Sequence, residues 1–270
     1  MSDLDLIPTT KKILHQVEEL TKKKFKFVEK NDLPCFAKVK LARNKIDHHI
    51  IFYKKSHDEI INHLIAHECG HIIRIFTAPE LKRVVPFSNE NHFKNAIVEM
   101  NEEMKKISLS IPKLQMDQIM KMWFNGLISQ LTNAPPDLMI EKWIYDTYKE
   151  LREYQFESIK RQWKEAMAGM NTEIKRITPS KIFNSSHIMN YAFYLIIGDY
   201  LNYNFIQPYD STPFGEKGKR LAELTQKNYQ NNLEGDVEKI NEWADFLNLS
   251  KWFGWTNFEN VPKDYGCTLD

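Results

Sequence analysis

HLIAHECGHIIR, residues 63–74, decides how this chain is read. Its apolar residues recur as they would on a buried helix, yet the same dozen positions hold three histidines, a glutamate and a cysteine. An imidazole or carboxylate buried without a partner is strongly unfavourable, so something in the fold must compensate these groups.

The pentapeptide His67-Glu68-Cys69-Gly70-His71 has the HExxH pattern. On a helix, positions i and i+4 share one face about 6 Å apart along the axis, so two imidazoles can converge on one zinc ion. Glu68 lies about 100° around the helix from His67, close enough to reach water at the metal without ligating it. Zinc lowers the pKa of such water to about 7, and a neighbouring carboxylate can act as general base. Gly70 leaves room for close packing beside the site. His63 shares the face but lies about 12 Å along the axis from His71, too far to share its ion. Its expected role is a helix cap or a support for a ligating side chain. Cys69 reads as a small buried hydrophobe.

The flanks say where this helix sits. Ser56 and Glu59 form a capping box before it, and Pro79 ends it near Thr77. Upstream, Phe36, Val39 and Leu41, then Ile50, Ile51, Phe52 and Tyr53, read as two strands around an RNK turn, and FKFVEK (25–30) carries similar patterning. His48 and His49 face opposite ways from the second strand and are expected at the surface. PTTKKILHQVEELTKKK reads as a first helix with Ile13, Val17 and Leu20 on one face. Downstream the pattern is helical over roughly 89–106, 113–131, 136–148, 153–170, 186–204, 214–231 and 236–247. Breaks are expected at IPK (111–113), NAPP (133–136), TPS (178–180) and QPYDSTPFG (207–215). No break is long enough for a linker, so residues 1–270 are expected to form one domain, α+β and predominantly α. A small N-terminal sheet would pack on the HExxH helix, with 36–76 as the core unit, 133–148 a later helix and 180–270 a helical C-terminal part.

Composition narrows the function. Lys+Arg (37) and Asp+Glu (36) nearly cancel, which gives no general drive toward nucleic acid or membrane. The opening MSDLDLIPTT lacks the apolar stretch of a signal peptide, and no long apolar run suggests a membrane span. Three scattered cysteines, Cys35, Cys69 and Cys267, fit a reducing compartment, so a cytoplasmic location is expected. PFGEKGKRLAEL has neither the preceding strand nor the spacing of a phosphate-binding loop. The aromatic tail around Trp243, Trp252, Phe253 and Trp255 reads as hydrophobic anchoring of the C-terminal region rather than a partner surface.

A catalytic zinc takes three protein ligands and keeps one position open. Glu80 follows the helix too closely, and Glu99 and Glu103 lie in a charge-rich, solvated stretch. NAPPDLMIEKWIYD is the better source: Asp137 and Glu141 are one turn apart amid apolar Leu138, Ile140, Trp143, Ile144 and Tyr145. Residues 36–76 resemble the zincin superfamily of zinc metallopeptidases, in which an edge strand before the HExxH helix holds substrate extended; DHHIIFYKK stands in that place. Arg74 and Thr77 occupy the positions where metzincins carry a glycine and a third histidine. The chain instead resembles gluzincins, whose third ligand is a carboxylate from a later helix. The Asn133–Asp137–Glu141 spacing is similar to that of several bacterial and phage-associated metallopeptidases. Glu141 is the expected third ligand and Asp137 the partner of a ligating histidine, with exchanged roles as the alternative. Zincins also use a downstream Tyr or His as oxyanion donor, and NSSHIMNYAFYLIIGDY offers His187 and Tyr191, with Asn190 and Tyr194 behind them; Tyr145, on the third-ligand helix, is a weaker candidate. A packed aromatic helix is the competing reading of that segment.

The resulting expectation is a zinc-dependent peptidase acting on a protein or peptide, with His67, His71 and an acid holding Zn2+ and Glu68 as base. The alternative is a non-catalytic helical protein stapled by zinc, acting as a regulatory protein-binding module. Cys267 could reach the metal as an inhibitory thiolate, although a disordered tail is the simpler expectation.

Overall fold

The computed structural model describes residues 4–33, 36–43, 46–54, 60–107 and 113–261. It is an α+β structure dominated by helices, with a small sheet near the N-terminus. Among the described residues, no helix is long and apolar enough to cross a membrane.

The described residues group into two compact units, Met1–Val85 with Met139–Arg161 and Thr256–Asp270, and Pro86–Leu138 with Gln162–Trp255. The chain passes from one to the other inside strands and helices rather than through a loop, which is why no linker is visible in the sequence.

The first unit begins with α1 (Pro8–Thr21), where Pro8 sits in the first turn, a position without need of its missing N–H. Ile13 and Val17 are fully buried. Thr21, not Leu20, continues that row: the spacing is 13, 17, 21, and Leu20 points to solvent. Strands β1 (Lys24–Glu29), β2 (Ala37–Lys40) and β3 (His48–Tyr53) form a sheet in the order β1-β3-β2. β2 pairs antiparallel with β3, Val39 opposite Ile51, as the two-strand reading expects; Asn44 and Lys45 of the RNK turn lie outside the described residues. β1 pairs parallel on the other side of β3, Phe27 opposite Ile51. The strand that matched the substrate-holding edge is therefore central, because FKFVEK supplies a third strand on its free side.

Period-two alternation sends His49 and Ile51 to the buried face of β3, while His48 is exposed. The expectation that both histidines lie at the surface fails for His49, which is fully buried. The fold satisfies both of its nitrogens: Nδ1 accepts from the Ala42 N–H at 3.0 Å, and Nε2 meets Thr21 Oγ1 at 3.2 Å. Thr21 in turn donates to the Val17 carbonyl at 2.8 Å.

Helix α2 (Ile61–Thr77) carries the HExxH segment. Its expected capping box, Ser56 and Glu59, lies outside the described residues. Its end is as expected: Ala78 is extended ahead of Pro79. Ile65, Ala66, Cys69 and Ile72 join Ile13, Val17 and Ile51 in one apolar core with Ile140 and Ile144. The α2 backbone comes close to Ile140: a Cβ on Gly70 would lie 2.5 Å from Ile140 Cγ2, so only glycine fits.

Helix α4 (Lys113–Thr147) corrects the expected break at NAPP, for it runs through Pro135 and Pro136. A proline inside a helix costs about 3 kcal/mol through its missing N–H and ring clash. Here Ala134, Pro135 and Pro136 are buried along with Leu131 and Leu138, and that burial offsets the local penalty.

The second unit contains β4 (Val84–Phe87) in part, α3 (Glu90–Ile107), most of α4, the last residues of α5 (Arg152–Ala168), then α6 (Thr172–Ile177), α7 (Ser180–Leu201), α8 (Gly215–Gln226) and α9 (Leu233–Leu247), and part of β5 (Gly254–Asn257), which pairs with β4. α7 starts at Ser180, earlier than expected, because Glu103 accepts both the Ser180 N–H and its hydroxyl at 2.6 Å. Ser185 and Ser186 therefore lie inside the helix rather than capping it. The aromatic C-terminal region is anchored inward: Trp243 and Trp252 are fully buried, and their indole N–H groups donate to Thr225 Oγ1 (2.8 Å) and Glu99 Oε2 (3.1 Å).

Candidate metal centre

Helix α2 presents His63, His67 and His71 along one face, and α4 presents Asp137 and Glu141 one turn apart. The division between units falls inside α4, after Leu138, between Asp137 and Glu141. Five ionisable side chains thus form two overlapping groups that could hold a cation, His63–His67–Glu141 and His67–His71–Asp137.

Distances tell these groups apart. Glu141 is 1% exposed, and its oxygens are taken by donors: His67 Nδ1 at 2.7 Å on Oε1, and His63 Nε2 at 2.8 Å and Gln155 Nε2 at 2.6 Å on Oε2. These are charge-assisted hydrogen-bond lengths. Burial alone pushes the Glu141 carboxyl up, but the charge and hydrogen bond of His63, with those of His67, reverse this and hold it well below the usual carboxylate range. An ionised Glu141 can only accept, so when His67 is neutral its proton sits at Nδ1 and Nε2 keeps a lone pair. That Nε2 lies 3.2 Å from His71 Nε2, with the rings nearly perpendicular at 73°. Two nitrogens each about 2 Å from one tetrahedral ion stand about 3.3 Å apart, so the His67–His71 pair, which is also within hydrogen-bonding distance, has a spacing that one ion could bridge.

Exposure divides the cluster in the same way. His63 and Glu141 are buried, whereas His67, Glu68, His71 and Asp137 are half-buried. Glu68 lies on the accessible side, its Oε2 accepting the Val39 N–H of β2 at 3.1 Å. That N–H turns away from β3, and among the described residues β2 is the outer strand of the sheet. A carboxylate saturated from behind, two imidazole nitrogens converging in front and a second acid beside them suit a divalent cation of borderline softness, zinc above all.

The other sequence candidates lie elsewhere. Glu80 is exposed on a short turn, Glu99 accepts from Trp252, and Glu103 holds the start of α7. Tyr145 lies under the Arg152 guanidinium, 4.2 Å from its ring centre. His187 sits inside the second unit, its ring 4.4 Å from Phe183 and 5.1 Å from Phe214, and burial pushes its pKa down to about 4. Tyr191 packs edge-on to Tyr209 at 5.6 Å and covers Gly218, where a Cβ would stand 2.5 Å away. Asn190 accepts from Gln130 at 2.7 Å, and Tyr194 is buried, its phenol pushed up by burial. Cys69 is buried and unoxidised; burial first, then the Glu68 charge, push its thiol far above the range for a ligand or nucleophile. Cys267 lies outside the described residues.

Sequence reasoning did not find Gln155. It is fully buried on α5 and touches Glu141 twice, at the carboxylate and at the backbone carbonyl (2.8 Å). A glutamine within REYQFESIK carries no local mark of this, and only the packing of α5 on α4 reveals it.

No family model, no curated protein and no solved structure matches this chain.

Proposed function

We propose that the chain is a zinc-dependent metallopeptidase, with His67 Nε2, His71 Nε2 and the Asp137 carboxylate as metal ligands. This exchanges the expected roles of the two acids: Glu141 becomes the partner of a ligating histidine and Asp137 the ligand. The observation that carries the reading is the 3.2 Å approach of two Nε2 atoms beside a half-buried acid, while every strong interaction of Glu141 is a hydrogen bond.

A zinc ion held by these residues would supply Lewis acidity, acidifying water and polarising a carbonyl. Glu68 takes the proton from water as the water oxygen bonds to the carbonyl carbon, then passes it to the amine as the C–N bond breaks. Glu141 keeps His67 in the tautomer whose Nε2 is free to ligate. β2, the outer strand among the described residues, brings its Val39 N–H to Glu68, which places a strand beside the base where an extended peptide could lie. The half-burial of His67, Glu68, His71 and Asp137 favours an open, catalytic site over a closed structural one.

Glu68→Gln tests the reading. Metal analysis should find about one zinc per chain in both proteins, while digestion of a peptide library falls at least about 10³-fold in the variant. Loss of metal together with hydrolysis would make Glu68 a ligand and overturn the assignment.

A further inference from the structure

We propose that Gln155 and His63 are positioning residues of the metal site: together they lock Glu141, which holds His67 in its ligating orientation. The inference rests on the metallopeptidase reading and adds two residues to it that touch neither metal nor substrate.

Gln155 Nε2 bonds Glu141 Oε2 at 2.6 Å and the backbone carbonyl of the same residue at 2.8 Å. One amide thus ties the end of a flexible side chain to its own backbone, which fixes the carboxylate's rotamer. His63 Nε2 meets the same oxygen at 2.8 Å from the α2 side, so Oε2 is occupied and Oε1 is left for His67. All three groups are buried to 1% exposure or less. Yet His63 Nδ1 and Gln155 Oε1 are buried with no hydrogen-bond partner among the described residues. A polar cluster serving stability alone would satisfy both ends of each side chain or be replaced by apolar residues of similar volume. Each residue here uses only the atom that faces Glu141, which is what a support for that carboxylate requires.

The test measures zinc affinity by competition with a chromophoric chelator, together with the visible spectrum of the cobalt-substituted protein. Gln155→Met, of similar volume but without the donor, should weaken zinc binding 10- to 100-fold and alter the cobalt spectrum. The metal-free chain should melt lower as well, because Glu141 loses a donor at its buried carboxylate and carbonyl, and the cobalt spectrum reports the ligand geometry apart from that loss. Wild-type affinity and spectrum in Gln155→Met would overturn the proposal. If that variant does not fold, His63→Gln and His63→Phe decide: Gln, which keeps a donor, should bind zinc like wild type, and Phe should bind at least tenfold more weakly. Equal affinity in those two would also overturn it. Wild-type protein that binds no zinc would instead remove the metallopeptidase reading itself, an outcome visible before any variant is made.

Discussion

His67 on α2 and His187 on α7 stand in opposite surroundings. His67 has an ionised carboxylate on one nitrogen and a second imidazole 3.2 Å from the other, and it remains half-buried. His187 is almost wholly buried, its ring flanked by Phe183 and Phe214, with Nδ1 lacking a hydrogen-bond partner among the described residues. Both follow apolar helical spacing, and the sequence offered both as site residues. The difference lies in what surrounds the nitrogens. Around His67, polar groups are aimed at one another so that one lone pair is presented; around His187, aromatic packing holds the ring and disfavours its protonation. The first arrangement is the one on which the proposed chemistry rests, and the second makes the fold sensitive to acid.

The strongest way to break this contrast is to remove the proposed ligand next to His67. Asp137→Asn keeps size and hydrogen-bonding capacity but loses the anionic oxygen that a divalent ion needs. Zinc affinity should fall more than about 100-fold and peptide hydrolysis at least about 10³-fold. The same measurements on His187→Phe should give wild-type metal content. If Asp137→Asn retains zinc while Glu141→Gln loses it, the two acids have been assigned the wrong way round.

A second measurement sharpens the other half of the contrast. Burial lowers the His187 pKa from 6.5 to about 4, against a smaller opposing hydrogen bond to the Gly169 backbone. The unfolded chain therefore binds the proton first. Stability is full above about pH 6.5 and declines as pH falls through the window toward 4, by a total on the order of 3 kcal/mol from this group. His49, lowered to about 4 by burial and by Lys23, contributes in the same direction and window. Urea unfolding of His187→Phe at pH 8 should match wild type within about 1 kcal/mol. At pH 4.5 the variant should be more stable by about 2 kcal/mol, since the His187 contribution is gone while those of His49, His92 and Glu141 are common to both proteins. Parallel pH curves for the two proteins would mean that the His187 ring stays neutral or charged in both states.

What the sequence could and could not say follows from the range of each interaction. The HExxH helix was legible because its signals are local: apolar spacing, a proline after its end and two histidines four residues apart. The pairing of β2 with β3 was legible for the same reason. The roles of Asp137 and Glu141 were not, because one turn on α4 separates them and only the rotation of that helix against α2 decides which acid meets His67 Nδ1. His49 shows the limit of period-two patterning, which says that His48 and His49 face opposite ways but not which face is covered. The NAPP stretch shows local preference losing to burial, since Pro135 and Pro136 signal a break that the packed surroundings of α4 override. Gln155 had no local signature, and its contact with Glu141 exists only in the folded chain.

The smallest expected effect concerns the accessible side of His67, where Glu68 rests on β2. Val39 pairs with Ile51, but its N–H goes to Glu68 instead of across the ladder, while the neighbouring Phe36 carbonyl accepts from Lys54 within it. That alternation leaves Val39 N–H outside the sheet's own hydrogen bonds. A proline is tolerated at an edge position whose N–H faces away from the sheet, so Val39→Pro should keep the β2–β3 pairing and cost less than about 1 kcal/mol beyond lost side-chain packing. Metal content should not change, because no ligand is touched. Activity should fall about tenfold, the effect of one hydrogen bond of about 1.4 kcal/mol, with Glu68 less firmly aimed and one pairing site lost to an extended substrate. The split between kcat and KM separates these contributions: a fall in kcat reports the aim of the base, a rise in KM the strand that substrate pairs with. Unchanged kcat and KM in a folded Val39→Pro protein would remove β2 from the site and leave Glu68 to act without its backbone anchor.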